Sequence, residues 1–184
     1  MQILPQIYGG YMLKLIRSLE ELDAAQLLAV YEQSNRENML LHYSHESENM
    51  QVLLAQQEFY SDLVENFKNH GCIYASWAPD GFYRSAVRLE RYTDGFLLTG
   101  LETASEVRGK GYATDLIRSV LKRAKEIGAN KFYSHISQKN YASIAVHLKC
   151  GFIKILDYAV FLDGSVNQDC ATYIYEIDNT RLQK

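Results

Sequence analysis

The stretch "LETASEVRGKGYATDLI", Leu101 to Ile117, decides how the rest of the chain is read. It ends a strand-like run, places an arginine and two glycines in a short link, and opens a helical pattern. Free backbone N–H groups at a helix start form a positive concavity that suits a phosphate. Gly109 and Gly111 lack Cβ, so an anion comes close, and Arg108 and Lys110 add charge. There is no GxxxxGK[ST] and no GxGxxG, which removes the nucleotide P-loop and the dinucleotide turn. An isolated RGKG is more often a flexible strand-to-helix turn, so its surroundings decide.

Downstream, "YATDLIRSVLKRAKEIG" puts Leu116, Ile117, Val120, Leu121, Ala124 and Ile127 on one helical face and stops at Gly128. "KFYSHIS" is the next strand. It lies a helix away from "FLLTGLET", so the two are expected as parallel neighbours joined by a right-handed crossover. A shorter helix, about Tyr141 to Lys149, ends at Gly151, and "FIKILDYAVFLD" and "CATYIYEID" form a closing hairpin. Upstream, "CIYASWA", "YRSAVRLERY" and "FLLTGLET" are separated by Pro79-Asp80-Gly81 and Thr93-Asp94-Gly95, which is the turn chemistry of an antiparallel meander.

At the start, "LKLIR" reads as a strand, and Ser18 with Glu21 as a capping box. Leu22, Leu27, Val30 and Tyr31 give a helical stripe, and residues 35–49 a polar connection. A long helix from about Ser47 to His70 presents Leu53, Leu54, Tyr60, Leu63, Val64 and Phe67 on one face, and Gly71 stops it. The expectation is one α/β domain. Its mixed sheet is mostly antiparallel, with a splayed parallel pair in the middle and helices on both faces.

The 184 residues suit one domain, and 47% apolar with 22% charged residues is ordinary for a soluble globular chain. A net charge of -3 argues against general affinity for nucleic acid or anionic membrane. Cys72, Cys150 and Cys170 are odd in number and widely spaced, which suggests reduced thiols in a cytoplasmic protein. No apolar run spans a bilayer, and the absence of positive charge before Lys14 makes a poor signal peptide. Met12 is an alternative start, and residues 1–11 are expected as an extension outside the fold. His42 and His45 have no third ligand nearby, so a polar loop is expected and no metal.

A second motif, "NYASIAVHLKCGF", runs from Asn140 to Phe152. With it the chain resembles the GNAT superfamily of N-acetyltransferases. Arg108, Gly111 and Ala113 match the acetyl-CoA motif [Q/R]-x-x-G-x-[G/A]. Asn140, Ser143, Val146, Lys149, Gly151 and Phe152 match the second motif. The resemblance implies an N-acetyltransferase that moves acetyl from acetyl-CoA to a primary amine of a small molecule, protein or peptide, through a tetrahedral intermediate. A catalytically weak acyl-CoA sensor or partner subunit is the alternative.

The resemblance also implies roles. The pyrophosphate would sit on the amides of Gly109, Lys110, Gly111, Tyr112, Ala113 and Thr114. The pantetheine would pair with main chain near Leu101 and Thr103, with Asn140 and Ser143 on its flank. Gly100 would mark a β-bulge that splays its strand from "KFYSHIS". Where the family usually has the tyrosine that protonates the departing thiolate, this chain has His147. It either acts as the acid or only packs there. For the base, His135 is placed slightly ahead of its rival Glu102. The acceptor pocket would be built from the first two helices and the last hairpin, and homodimers are common among similar proteins.

Overall fold

A computed structural model of the chain describes residues 12–177. The expected extension at 1–11 lies outside them. One sheet of seven strands runs through the molecule. In chain order its members are β1 (Leu13–Ile16), β2 (Ile73–Trp77), β3 (Ser85–Tyr92), β4 (Gly95–Thr103), β5 (Lys131–Ser137), β6 (Ile153–Leu156) and β9 (Cys170–Glu176). Side by side the order is β1-β2-β3-β4-β5-β9-β6, and every pairing is antiparallel except β4 with β5. A separate two-stranded ribbon, β7 (Ala159–Val160) with β8 (Val166–Asn167), rises from the last hairpin. The sequence pattern merged β6 and β7 into one strand. The chain instead breaks at Asp157 and Tyr158, where Thr172 Oγ1 donates to the Tyr158 carbonyl at 2.7 Å.

The helices cover both faces. α3 (Tyr112–Lys122), the short α4 (Ala124–Ile127) and α5 (Tyr141–Lys149) lie on one side. There Leu116, Ile117 and Val120 pack with Val87, Leu98, Phe132 and Phe152 in a fully buried cluster. The single helix expected over 112–127 is interrupted at Arg123, whose N–H tightens onto Ser119 and Val120 carbonyls at 3.2 and 3.0 Å. On the other side, α1 (Ala24–His42) and α2 (Glu48–His70) close a second cluster around Leu27, Val30, Leu63, Tyr74 and Ala86.

Three readings of this second layer are corrected. Ser18 caps no α-helix with its side chain; residues 19–21 form one 3₁₀ turn, and the Glu21 carboxylate accepts from the Arg17 N–H. The helix begins five residues later, where Asp23 Oδ1 accepts from the Gln26 N–H at 3.0 Å. The expected polar connection, residues 35–49, leaves the helix only at 43–47: α1 runs through His42 and α2 begins at Glu48. In α2, Ala55, Phe59, Leu63 and Phe67 recur every four residues and face inward, whereas Leu53, Tyr60 and Val64 are exposed. Small Ala55 marks the packed stripe, and residue size misled the sequence reading.

Candidate active site

The centre of the sheet is where its ladder fails. β4 and β5 pair only at Phe96 with Phe132 and Leu97 with Tyr133. On the other side of β4, Arg88 pairs with Thr99 and Ala86 pairs with Glu102. Two steps on β3 therefore match three on β4, so β4 carries one extra residue at Gly100-Leu101. Gly100 has φ 58°, a left-handed conformation that glycine adopts without a Cβ penalty. The bulge expected from Gly100 is present.

Its consequence is larger than splaying. Side chains alternate along a strand, so one inserted residue exchanges the faces beyond it. Phe96 and Leu98 point into the α3 side, and after the bulge Leu101 does too. Glu102 consequently falls on the same face as Arg88 and Ala86, under α1 and α2. Without the bulge its carboxylate would project toward the α3 core. α1 is fastened at this point, since the Tyr31 hydroxyl donates to the Gly100 carbonyl at 2.6 Å. Burial raises the Tyr31 pKa, so the hydroxyl stays a donor.

Two cavities meet at Glu102. One, of about 250 Å³, lies under α1 and α2, with Tyr31, Ser34, Asn35 and Asn38 on one wall, Asp62 on another and Arg88 on the floor. The second, of about 340 Å³, lies where β4 parts from β5 and is lined by Leu101, Thr103, Arg108, Ala113, Asn140 and Ser143. Glu102 lines both. Burial raises its carboxyl above the usual range, Arg108 beside it pulls it down, and Glu37 adds to the rise. A carboxylate of raised basicity at a junction of two cavities has the chemistry of a proton acceptor.

The loop before α3 fits a phosphate. Gly109 and Gly111 have φ 78° and 88°, and a Cβ at either would meet no atom within 4 Å. Among the described residues, the first backbone bond of α3 is from Asp115 N–H to the Gly111 carbonyl, at 3.0 Å. The amides from Gly109 to Thr114 precede it and find no backbone acceptor in the loop. Lys110 is exposed, Tyr112 is partly covered, and Thr114 is buried. Asn140 caps α5, its Oδ1 accepting from the Ser143 N–H at 3.0 Å. That leaves the amide nitrogen of Asn140 for a ligand.

The two histidines stand elsewhere. His147 is 1% exposed, and its Nδ1–H donates to the Ser143 carbonyl at 2.8 Å. A carbonyl only accepts, so the proton sits on Nδ1 and Nε2 is left bare, buried and without a partner. Burial lowers its pKa, the Ser143 carbonyl opposes this, and the ring packs edge-on against Phe152 at 5.0 Å. His135, half-buried, is held edge-on between Tyr92 and Phe161, each at 5.3 Å, and neither ring nitrogen has a hydrogen bond. Burial lowers its pKa as well. Neither histidine lines either cavity. Of the α1 and α2 wall residues, Tyr31 and Leu63 carried a sequence signal, each as part of a helical stripe, and the polar ones were not singled out as pocket residues.

Residues 15–153 match the profile of the acetyltransferase (GNAT) domain, and the chain belongs to that family. An uncharacterized N-acetyltransferase, YvbK of Bacillus subtilis, is 24% identical over 102 residues, which is 55% of this chain. The match covers 66% of that relative's length, just under two thirds. Many solved structures share the fold, and three of them illustrate it. PaiA N-acetyltransferase from Thermoplasma acidophilum, in complex with coenzyme A, has a TM-score of 0.58 at 15% identity, covering 89% of this chain and 98% of that one. A spermidine N-acetyltransferase SpeG chimera from Vibrio cholerae and hSSAT has 0.62 at 18%, covering 94% and 99%. A ribosomal-protein-alanine N-acetyltransferase from Brucella melitensis has 0.60 at 20%, covering 89% and 99%.

Proposed function

We propose that the protein transfers the acetyl group of acetyl-CoA to a primary amine that enters beneath α1 and α2. The observation that carries this reading is the double exposure of Glu102, to the acceptor-side cavity and to the cleft beside the phosphate-binding loop. Aliphatic amines are protonated near neutral pH and must lose a proton to attack. Glu102 accepts that proton, directly or through a water. The nitrogen then bonds to the acetyl carbon and sheds its second proton to solvent, the carbon–sulfur bond breaks, and coenzyme A leaves as the thiolate, which takes a proton from solvent to become the free thiol.

Acetyl-CoA supplies the activated acyl group. Residues of this chain supply its seat: the amides of Gly109 to Thr114 for the pyrophosphate, and Leu101, Thr103, Asn140 and Ser143 along the cleft. The acceptor cavity suits a small cationic amine. Asp62 and Glu102 are acidic, whereas Arg88 is already neutralised by Glu90 at 2.5 Å. The spermidine and ribosomal-protein enzymes among the structural relatives fit a small amine and a peptide amine respectively. The test is release of free thiol from acetyl-CoA with a panel of monoamines, diamines and peptides. Saturable release with a small amine supports the reading; tight coenzyme A binding with no release for any amine sinks it.

That second result would favour a sensor of acyl-CoA. The observation behind this alternative is His147, which stands where the family usually has its thiolate-protonating tyrosine yet is neutral, buried and turned onto the Ser143 carbonyl.

A further inference from the structure

We propose that Arg108 is a positioning residue that, with Gln33, braces α1 against the base Glu102, and that its side chain is not a ligand of the pyrophosphate. This rests on the reading of Glu102 as the base. A guanidinium offers five donors in a fixed fork. Here Nε donates to the Thr103 carbonyl at 3.2 Å, one Nη donates to Gln33 Oε1 at 2.7 Å, and the other faces Glu102 Oε2 at 3.4 Å. Three of its five N–H donors are thus turned onto protein, on β4 and α1, while the side chain stays 46% exposed.

Gln33 is set to receive it. Its amide nitrogen donates to Glu37 Oε1 at 2.9 Å, one turn along α1. An amide between a carboxylate and a guanidinium has only one orientation that satisfies both, nitrogen to the acid and oxygen to the base. Gln33 lies within two residues of Tyr31, Ser34 and Asn35, which wall the acceptor cavity. α1 is therefore held to the bulged end of β4 at two places, by Tyr31 on Gly100 and by Gln33 on Arg108. The phosphate seat needs only backbone N–H groups, which the loop supplies without this side chain.

The arrangement also places a fixed positive charge on Glu102. The other charged or titratable groups around that carboxyl are Glu37 and Tyr31 of α1, Asp62 of α2, Arg88 and its partner Glu90 on β3, and Tyr74 of β2. Removal of Arg108 leaves an acidic surplus there, so the carboxyl titrates higher.

The test compares wild type, Arg108→Ala, Arg108→Lys and Gln33→Ala. Coenzyme A affinity is measured by calorimetry. The Glu102 carboxyl is followed by carbon-13 NMR titration and assigned by its loss in Glu102→Gln. Loss of a charge-assisted phosphate contact weakens binding about tenfold or more. The proposal expects a change below about threefold in Arg108→Ala and Arg108→Lys, with the Glu102 midpoint moved up in Arg108→Ala. Amide exchange in α1 around Gln33 is expected to quicken equally in Gln33→Ala, Arg108→Ala and the double variant. A larger loss of coenzyme A affinity, an unmoved Glu102 midpoint or unaltered α1 exchange overturns it. None of these readouts needs turnover, so failure of the acetyltransferase reading would show separately, as absent thiol release.

Discussion

Gly100→Ala tests the geometry on which the site depends. The residue holds φ 58°, and an L-residue there pays about 1–2 kcal/mol in steric conflict with its own backbone. A Cβ at Gly100 would lie 3.5 Å from the Tyr31 hydroxyl, an ordinary contact, so no clash with the surroundings adds to that figure. The expected loss of folding stability is therefore about 1–2 kcal/mol, read from the urea midpoint at constant slope. Gly100→Asn should lose less, because asparagine tolerates the left-handed region better than alanine. In both variants the Tyr31 bond to the Gly100 carbonyl is available, so the bulge persists under strain. Equal stability of wild type and Gly100→Ala would refute the left-handed bulge. So would a greater loss in Gly100→Asn than in Gly100→Ala.

Other outcomes follow from the same contacts. Asn140→Ala removes the α5 cap and should cost about 1 kcal/mol in the urea midpoint while also weakening coenzyme A binding, since the same side chain flanks the cleft. His147 and His135 are both held neutral by burial, so the unfolded chain binds more protons than the folded one once pH drops below the ordinary histidine value. Their contribution is fully present above about pH 6.5 and is lost as pH falls from there toward their lowered folded values. The slope is at most about 1.4 kcal/mol per pH unit for each. Thermal melts of His147→Phe across that range should show a shallower fall than wild type.

Much of the cofactor side was legible because it is local. The loop from Arg108 to Thr114 and the cap at Asn140 depend on neighbours within a few residues, so a motif records them. The parallel placement of β4 and β5 followed from one helix between two strands. The Gly100 bulge was legible too, but its effect on Glu102 was not, because that depends on counting register against β3. The acceptor side was obscured for a different reason. Residues 35–42 are polar enough to resemble a connection, yet they continue α1, where Asn35 and Asn38 face a cavity rather than a core. The sequence left His147 open between acting as the acid and only packing, because its position in the motif is visible and its burial is not.

In the proposed reaction Glu102, turned by the bulge onto the acceptor face, takes the proton from the amine. The most direct measurement is the pH dependence of kcat/KM for the acceptor in wild type and Glu102→Gln. Because the Glu102 carboxyl titrates above the usual range, the wild-type profile should fall on the acid side as the base is protonated. Glu102→Gln should lose about 100-fold or more in kcat/KM while coenzyme A affinity holds, and its acid limb should vanish. A Glu102→Gln enzyme of near wild-type rate with the same acid limb would contradict the account.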